Sequence, residues 1–151
     1  MRQLVGIALL GACCLFAADP HNGVWKANIA KSKYNPGPAP KSVTHTVSLD
    51  GDWTVLKIDR TGADGKSSTT TNRLKLDGKE YPYKNAENTP GLTISGTRKG
   101  NVQETTYRRE GKVTLTIKTV VSPDGKTRTA TQTGTALDGK PLNNTVVLEK
   151  Q

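Results

Sequence analysis

The fold is decided by a pattern that is clearest at residues 42–51, which read SVTHTVSLDG. Val43, His45 and Val47 alternate there with Ser and Thr, and an Asp-Gly pair follows. A period of two, with one apolar face and one polar face, is typical of a half-buried antiparallel strand. Asp-Gly is a strong hairpin signal, because the turn requires positive φ at its central residues. The segment therefore predicts a strand that ends in a tight turn.

The same signature recurs along the rest of the chain. Asp-Gly pairs lie at 50–51, 64–65, 77–78, 124–125 and 138–139, and each predicts a hairpin turn. Between these and other glycine turns lie about ten segments of strand length: 23–30, 42–49, 52–61, 66–76, 79–84, 91–98, 102–109, 112–121, 126–136 and 145–150. No segment after residue 18 shows a helical period. We predict an all-β fold, an antiparallel up-and-down meander of about 8–10 strands that closes into a β-barrel, first strand against last.

Length and composition limit what this barrel contains. The chain has 151 residues, which is enough for one domain and too few for a second one. Residues 19–151 are expected to form that single β-barrel domain. Aromatic residues make up only 5% of the chain, so we expect ten strands to enclose a cavity rather than a fully packed interior.

Residues 1–18 have the layout of a signal peptide. Arg2 precedes an apolar run at residues 4–16, which is too short to cross a bilayer as a helix, and polar residues follow Ala18. We expect cleavage near Ala18 and export to the periplasm or secretion, with no transmembrane segment in the mature chain.

A second interpretation of this segment is a lipoprotein signal. Residues 10–13, Leu-Gly-Ala-Cys, resemble a bacterial lipobox, in which Cys13 would carry the lipid anchor. In either case residues 19–151 contain no cysteine. That absence excludes disulfides, thiol chemistry and a cysteine-based zinc site in the barrel.

The charge of the chain is strongly basic. Lys and Arg number 22 against 13 Asp and Glu, a formal net charge of +9. Such a balance favours acidic partners, but the basic residues are scattered, and scattered lysines also keep sheet edges from pairing. Four aromatic residues, Trp53, Tyr81, Tyr83 and Tyr107, are spread over three predicted strands without the tandem spacing of an RNA-binding motif. We expect no nucleic-acid partner and a monomeric protein.

The first predicted strand resembles the opening of calycin barrels. Gly23-Val24-Trp25 matches the G-x-W signature of lipocalins and fatty-acid-binding proteins. The longer segment at residues 25–42 also resembles a group of small exported bacterial proteins with no assigned function. The calycin resemblance implies that Trp25 plugs the closed end of the barrel and stacks under a basic residue of the last strand.

The chain also departs from these families. A Pro-rich segment at residues 31–41 stands where fatty-acid-binding proteins have their lid helices. The Arg-x-Tyr carboxylate grip of those proteins and the Thr-Asp-Tyr motif of lipocalins are absent. The resemblance therefore implies a lipocalin-like fold and ligand binding, but no particular ligand.

Topology predicts which end of the barrel is open. In an up-and-down barrel successive connections alternate between the two ends, so the long connections 31–41, 84–90 and 137–144 fall together and define a mouth. Tight turns define the opposite floor. Trp25 begins the first strand and therefore lies at the floor. Lys150 ends the last strand, so we expect it beside Trp25, in place of the stacking Arg of the family.

Strand direction places seven candidate ligand-binding residues in the mouth half of the barrel: His45, Ile58, Arg60, Tyr83, Tyr107, Val113 and Leu115. Alternation puts His45 and Arg60 on inward faces. An inward arginine is costly unless it is paired or wet. We therefore predict a ligand with an apolar body and an acidic or hydrogen-bonding end. The alternative is that Arg60 extends into solvent at the rim.

Catalytic chemistry is not predicted. The only histidines are His21, which we expect to be solvated ahead of the barrel, and His45, which is either a satisfied core residue or a ligand contact. Neither has a spaced carboxylate or cysteine for metal binding, and the chain has no phosphate loop or nucleophile elbow. We predict a protein without enzymatic activity, cofactor or metal.

Two functions remain open at this point. In the first, the exported barrel binds a small apolar or amphipathic ligand in its cavity. In the second, the barrel is filled, and its outer surface acts as an envelope-associated binding or inhibitor module that recognises an anionic polymer. An interior cavity of about 300 Å³ or more favours the first function.

Overall fold

In the computed structural model, which describes residues 19–84, 89–135 and 139–151, ten antiparallel strands form a meander. The predicted all-β fold class is confirmed. A single turn of 3-10 helix at Ile29–Lys31 follows the first strand. The strands are β1 (Gly23–Ala27), β2 (Ser42–Asp50), β3 (Trp53–Thr61), β4 (Ser67–Leu74), β5 (Asp77–Pro82), β6 (Leu92–Lys99), β7 (Val102–Arg109), β8 (Lys112–Val121), β9 (Thr127–Thr135) and β10 (Pro141–Lys150).

The strands form one sheet that curls into a nearly closed barrel. Each strand pairs with its neighbours in sequence, and β1 pairs with β10, so the first strand does meet the last. Strands β4 and β5 are the two edges of this sheet and do not pair with each other, so the barrel is open between them. The predicted hairpin at Asp77-Gly78 is therefore wrong. These residues begin β5, and no backbone ladder joins that strand to β4.

Side chains cover the gap between β4 and β5. The hydroxyl of Tyr83 donates to Oδ1 of the buried Asn72 at 2.9 Å. Near the floor Leu74 is buried against Gly96 of β6, where an added Cβ would lie 2.5 Å from a Leu74 methyl and 3.0 Å from a methyl of Leu76. A glycine at this position thus makes room for two leucines that seal the gap.

Two strand boundaries differ from the predictions by three residues or more. The first strand ends at Ala27 instead of residue 30, because the side chain of Asn28 accepts from the amide of Lys31 at 3.1 Å and caps the 3-10 turn. The last strand begins at Pro141 instead of residue 145 and pairs there with Thr135. The β9–β10 hairpin therefore reaches further toward the mouth than its composition indicates.

The floor is built around Trp25, which is fully buried. Its Nε1 donates to the carbonyl of His21 at 2.9 Å, and the Lys150 ammonium lies 5.0 Å from its ring centroid. Trp25 and Lys150 are also direct partners in the β1–β10 ladder. The predicted plug and its basic neighbour are confirmed. The core cluster around the ring consists of Val47, Val121, Val146 and Leu148.

The two longest connections, 28–41 and 83–91, join strands at the mouth, as predicted, and two-residue turns at 51–52 and 100–101 join strands at the floor. The contrast is partial, because the mouth also has a two-residue connection at 110–111, and the floor has one of five residues at 122–126, equal in length to 136–140 at the mouth. Residues 85–88, 136–138 and the expected signal peptide at 1–18 lie outside the described residues. Within the described part of the chain, no helix has the length and apolar character needed to cross a membrane.

Candidate functional site

A cavity of about 280 Å³ lies inside the barrel toward the mouth. At about 30 Å³ per water molecule, it has room for roughly nine waters or for a small organic molecule. Its size is close to the lower limit of ordinary ligand pockets. The residues that line it are Tyr34, Val43, His45, Ile58, Arg60, Ser68, Thr70, Gln132, Asn144 and Val146.

Strands β2 and β3 supply the wall that the sequence predicts. In their ladder Val43 is opposite Arg60 and His45 is opposite Ile58, and directly opposite residues share one face of a sheet. Val43 and His45 are buried, whereas Arg60 is exposed at the rim and makes no ion pair with any carboxylate in the described part of the chain. Apolar and hydrogen-bonding groups therefore alternate along one wall.

His45 is a buried polar residue of this wall, with 8% of its surface exposed. Its Nδ1 lies 3.2 Å from Nη1 of Arg128. Burial, together with the positive charge of Arg128, lowers the pKa of His45 from 6.5 to about 3. The imidazole is therefore neutral at physiological pH. His45 is both a hydrogen-bonded core histidine and a cavity residue.

Arg128 lies one layer deeper, on the inward face of β9, with only 3% of its surface exposed. Burial lowers its pKa to about 10, with the like charge of Arg98 contributing, so the guanidinium stays positive at neutral pH. Its Nη1 contacts His45, but its Nε has no hydrogen-bond partner among the described residues. The interior thus holds a cation that no carboxylate of the described part of the chain contacts directly.

The residues ahead of β1 fold back under the floor. Asp19 forms a partly buried ion pair with Arg98, whose guanidinium also donates to Oε1 of Gln103. The expectation that His21 is solvated is wrong, because its carbonyl accepts from Trp25 and its ring is fully buried. Burial, reinforced by the charges of the two arginines, lowers the pKa of His21 to about 4.

Three further polar residues of the cavity come from the mouth loops and the last two strands. The amide of Asn35 donates to Oδ1 of Asn144 at 2.8 Å, and Nδ2 of Asn144 donates to Oε1 of Gln132 at 3.0 Å. The hydroxyl of Tyr34 is buried, which raises its pKa, and the nearby Ser32 side chain acts in the opposite direction. At full hydrogen-bond distance this hydroxyl has no partner within the described part of the chain. These groups face His45 and Arg60 across the cavity.

Three of the seven predicted site residues, His45, Ile58 and Arg60, line the cavity together. Tyr83 and Tyr107 instead form an edge-to-face pair at 5.2 Å near the β4–β5 gap, and burial raises the pKa of Tyr107 above its usual 10. Val113, with 59% of its surface exposed, lies at the rim, and Leu115 is half-buried; neither lines the cavity.

Four polar residues in or beside the cavity were not predicted from the sequence: Arg128, Tyr34, Gln132 and Asn144. Arg128 and Gln132 could have been found, because they alternate with outward threonines on the same face as the buried Ala130. Tyr34 lies in the Pro-rich loop, and Asn144 lies in a segment whose composition predicts a connection before the last strand; neither carries a periodic signal.

The aromatic residues do not form a common surface. Trp53 pairs edge-to-face with Tyr81 at 5.2 Å, and Tyr83 pairs separately with Tyr107. In the described residues no group of three His, Cys, Asp or Glu side chains could hold a metal ion. The cavity is therefore the part of the described structure best suited to bind a molecule.

Known structures share this architecture. The fluorescent protein UnaG is 18% identical, with a TM-score of 0.60, and the match covers 89% of this chain and 100% of that one. A complex of the zebrafish ileal bile acid-binding protein with cholic acid is 14% identical, with a TM-score of 0.56, over 87% and 99% of the two chains. A variant of the REP1-NXSQ fatty acid transporter is 13% identical, with a TM-score of 0.56, over 86% and 97%.

These likenesses confirm the calycin type of barrel that Gly23-Val24-Trp25 indicates. At such identities they show the fold alone. No family model matches the chain, and no curated protein matches it. The resemblance to small exported bacterial proteins therefore stays a prediction.

Proposed function

We propose that the protein is a non-catalytic binder of a small ligand, which it holds in the cavity of the barrel. The ligand has an apolar body and an acidic or hydrogen-bonding end. The observation that carries this proposal is the mixed lining of the cavity, where Val43, Ile58 and Val146 lie beside polar side chains, among them the buried Tyr34 hydroxyl and the Arg60 guanidinium at the rim.

Two polar groups, the Tyr34 hydroxyl and the Arg60 guanidinium, are the reason to expect a bound ligand in addition to water. A buried hydroxyl without a hydrogen bond, as on Tyr34, costs about 1–3 kcal/mol. Arg60 adds a charge at the rim that no described carboxylate neutralises. A ligand with an oxygen-bearing end satisfies both groups, and its apolar part covers the aliphatic wall.

The structural neighbours support the same class of function. One is a bile acid-binding protein in complex with cholic acid, and another is a fatty acid transporter. Both are binding proteins rather than enzymes. That agrees with the expected lack of catalytic activity in this chain. The ligands of these two proteins are not assigned to it.

The alternative function is binding of an anionic polymer on the outer surface of a filled barrel. The cavity of about 280 Å³ weighs against the filled interior that this alternative requires. If the cavity bound no apolar anionic probe and the protein was retained on an anionic polysaccharide resin, the alternative would be favoured.

The test is a fluorescence titration with 1-anilinonaphthalene-8-sulfonate, a probe with an apolar body and one negative charge. Arg60→Ala and His45→Ala are each expected to weaken binding at least about threefold, since each removes a polar contact of the cavity. Lys57→Ala is the matched control, because Lys57 lies on β3 but points outward and pairs with Asp59. No binding to the wild type, or unchanged affinity in both cavity variants, would refute the proposal.

We also propose that the protein is exported, with residues 1–18 removed. This rests on the arrangement of Arg2 and the apolar run at 4–16, which lie outside the described residues. The intact mass of protein from its own host is expected to correspond to a start near Asp19. A lipid-modified N-terminus at Cys13 would support the lipoprotein interpretation instead.

A further inference from the structure

We infer that the cavity selects ligands whose polar end only accepts hydrogen bonds, such as a carboxylate or a carbonyl, and that it rejects amines. This inference rests on the proposed function and specifies the chemistry of its ligand. It follows from two hydrogen-bond relays that begin outside the cavity and end on groups lining it.

The first relay begins at Arg128. A guanidinium has only donors, so its Nη1 must donate to Nδ1 of His45 at 3.2 Å. With Nδ1 acting as the acceptor, the proton of the neutral imidazole is on Nε2. This Nε2 is not one of the buried, unpartnered side-chain atoms of the described residues, and the ring lines the cavity. His45 therefore presents an N–H donor to a bound molecule.

The second relay begins at the backbone of Asn35. A backbone amide can only donate, so the side-chain atom of Asn144 that it contacts at 2.8 Å is the oxygen. The amide nitrogen of Asn144 must then donate to Oε1 of Gln132, at 3.0 Å. The remaining polar atom of Gln132 is its NH₂ group. Gln132, which also lines the cavity, thus has a donor left to offer.

The rest of the lining agrees with this polarity. Arg60 carries only donors, and the buried hydroxyl of Tyr34 has a hydrogen to donate. No Asp or Glu lines the cavity, so the acceptors available to a ligand are neutral oxygens: the hydroxyls, including those of Ser68 and Thr70, and the second lone pairs of the Gln132 and Asn144 amide oxygens. A carboxylate would satisfy several donors at once. An ammonium group would leave them unpaired and would add a positive charge beside Arg60.

The two relays assign different roles to their members. His45 and Gln132 contact the ligand and determine specificity. Arg128 and Asn144 act through them, because they fix which atom of each side chain faces the cavity, and they are positioning residues. The two relays share no residue, so each can be tested while the other stays intact.

The first experiment compares three ligands with one apolar body: decanoate, methyl decanoate and decylammonium, titrated by calorimetry near neutral pH. Wild type is expected to bind decanoate at least about tenfold more tightly than decylammonium, since unpaired buried donors are strongly penalised. Methyl decanoate, which keeps its carbonyl acceptor but has no charge, is expected to lie between them. Equal binding of all three would overturn the inference and leave the proposed function standing. No binding of any would overturn both.

The second experiment replaces the hydrogen-bond donor of Gln132 with an acceptor. Gln132→Glu keeps the oxygen that accepts from Asn144 and replaces the free NH₂ with an acceptor, so decanoate should weaken about tenfold and decylammonium should gain. Thr133→Glu is the matched control, because it adds the same charge one residue along, where the side chain is exposed on the opposite face. An identical loss of decanoate binding in both variants would overturn the inference.

A third measurement needs neither a ligand nor a substitution in the cavity. Nitrogen-15 NMR of wild-type protein distinguishes the two neutral tautomers of a histidine. The Nε2–H form is expected for His45. The Nδ1–H form would contradict the first relay whatever the binding data show.

Discussion

Acidification from about pH 8 to about pH 5 is expected to destabilise the barrel through its buried histidines. In the folded protein the pKa of His45 is lowered to about 3, because the ring is buried and lies beside Arg128. In the unfolded chain the same side chain titrates near 6.5. The unfolded state therefore binds a proton that the folded state excludes, and stability is lost as pH falls below 6.5.

The size of the effect follows from the pKa of His45 in the two states. At about pH 5 the solution is about 1.5 units below the unfolded value and still well above the folded one. At 1.36 kcal/mol per unit, His45 alone lowers the free energy of unfolding by about 2 kcal/mol. His21, with a pKa of about 4, acts in the same direction. Because pH 5 is also above this folded value, His21 adds a loss of similar size over the same range.

The assay is urea unfolding across this pH range, followed by tryptophan fluorescence. His45→Gln keeps an acceptor for Arg128 and removes one of the two titrating groups, so it should abolish about half of the pH dependence above about pH 5. Carboxylates with lowered pKa, such as Asp59 and Asp124, lose their contribution only below about pH 4, outside this window. A wild type equally stable at both pH values, or a variant with an unchanged slope, would refute the reasoning.

Four substitutions test the packing, each by the free energy of unfolding. Trp25→Ala should cost about 3–5 kcal/mol, and a loss under about 1 kcal/mol would show that Trp25 is not the plug. Lys150→Met keeps the aliphatic stem over the ring and should cost about 0.5–1 kcal/mol, whereas no change would discount the cation–π contact. Gly134→Ala should cost about 3 kcal/mol, since its Cβ would lie 2.2 Å from a carbonyl oxygen of β8; the control Gly125→Ala, with open space, should cost about 1 kcal/mol. Tyr83→Phe should cost about 1–2 kcal/mol by removing the hydrogen bond across the β4–β5 gap, and a neutral result would mean that the bond does not hold the gap.

The architecture could be predicted because it depends on local signals. Alternation placed Val43, His45 and Val47 on one face, and all three are buried. Two-residue turns at 51–52 and 100–101 fix the register of their hairpins. The pairing of Trp25 with Lys150 followed from an even number of strands and closure of the meander.

The gap between β4 and β5 could not be predicted from the same signals. Asp77-Gly78 has the composition of a hairpin turn, but here it begins a strand. The outcome is set by side chains distant in sequence, above all by Gly96, whose missing Cβ admits Leu74 and Leu76 in place of backbone pairing. Local turn chemistry does not encode such a contact.

The site was predicted only where the strands alternate regularly. His45, Ile58 and Arg60 lie on β2 and β3 and were found, whereas Tyr34 reaches the cavity from a Pro-rich loop without periodicity. His21 was misjudged because burial of the residues ahead of β1 depends on the floor they cover, which exists only in the folded barrel.

His45 connects the stability of the floor with the chemistry of the cavity. Its Nδ1 accepts from Arg128 on the floor side, and its ring lines the cavity on the other. Protonation would convert Nδ1 into a donor facing a guanidinium, which breaks this bond and places two positive charges together. The N–H on Nε2 would remain available to an anionic ligand. Acid is therefore expected to loosen the fold before it weakens binding of a carboxylate.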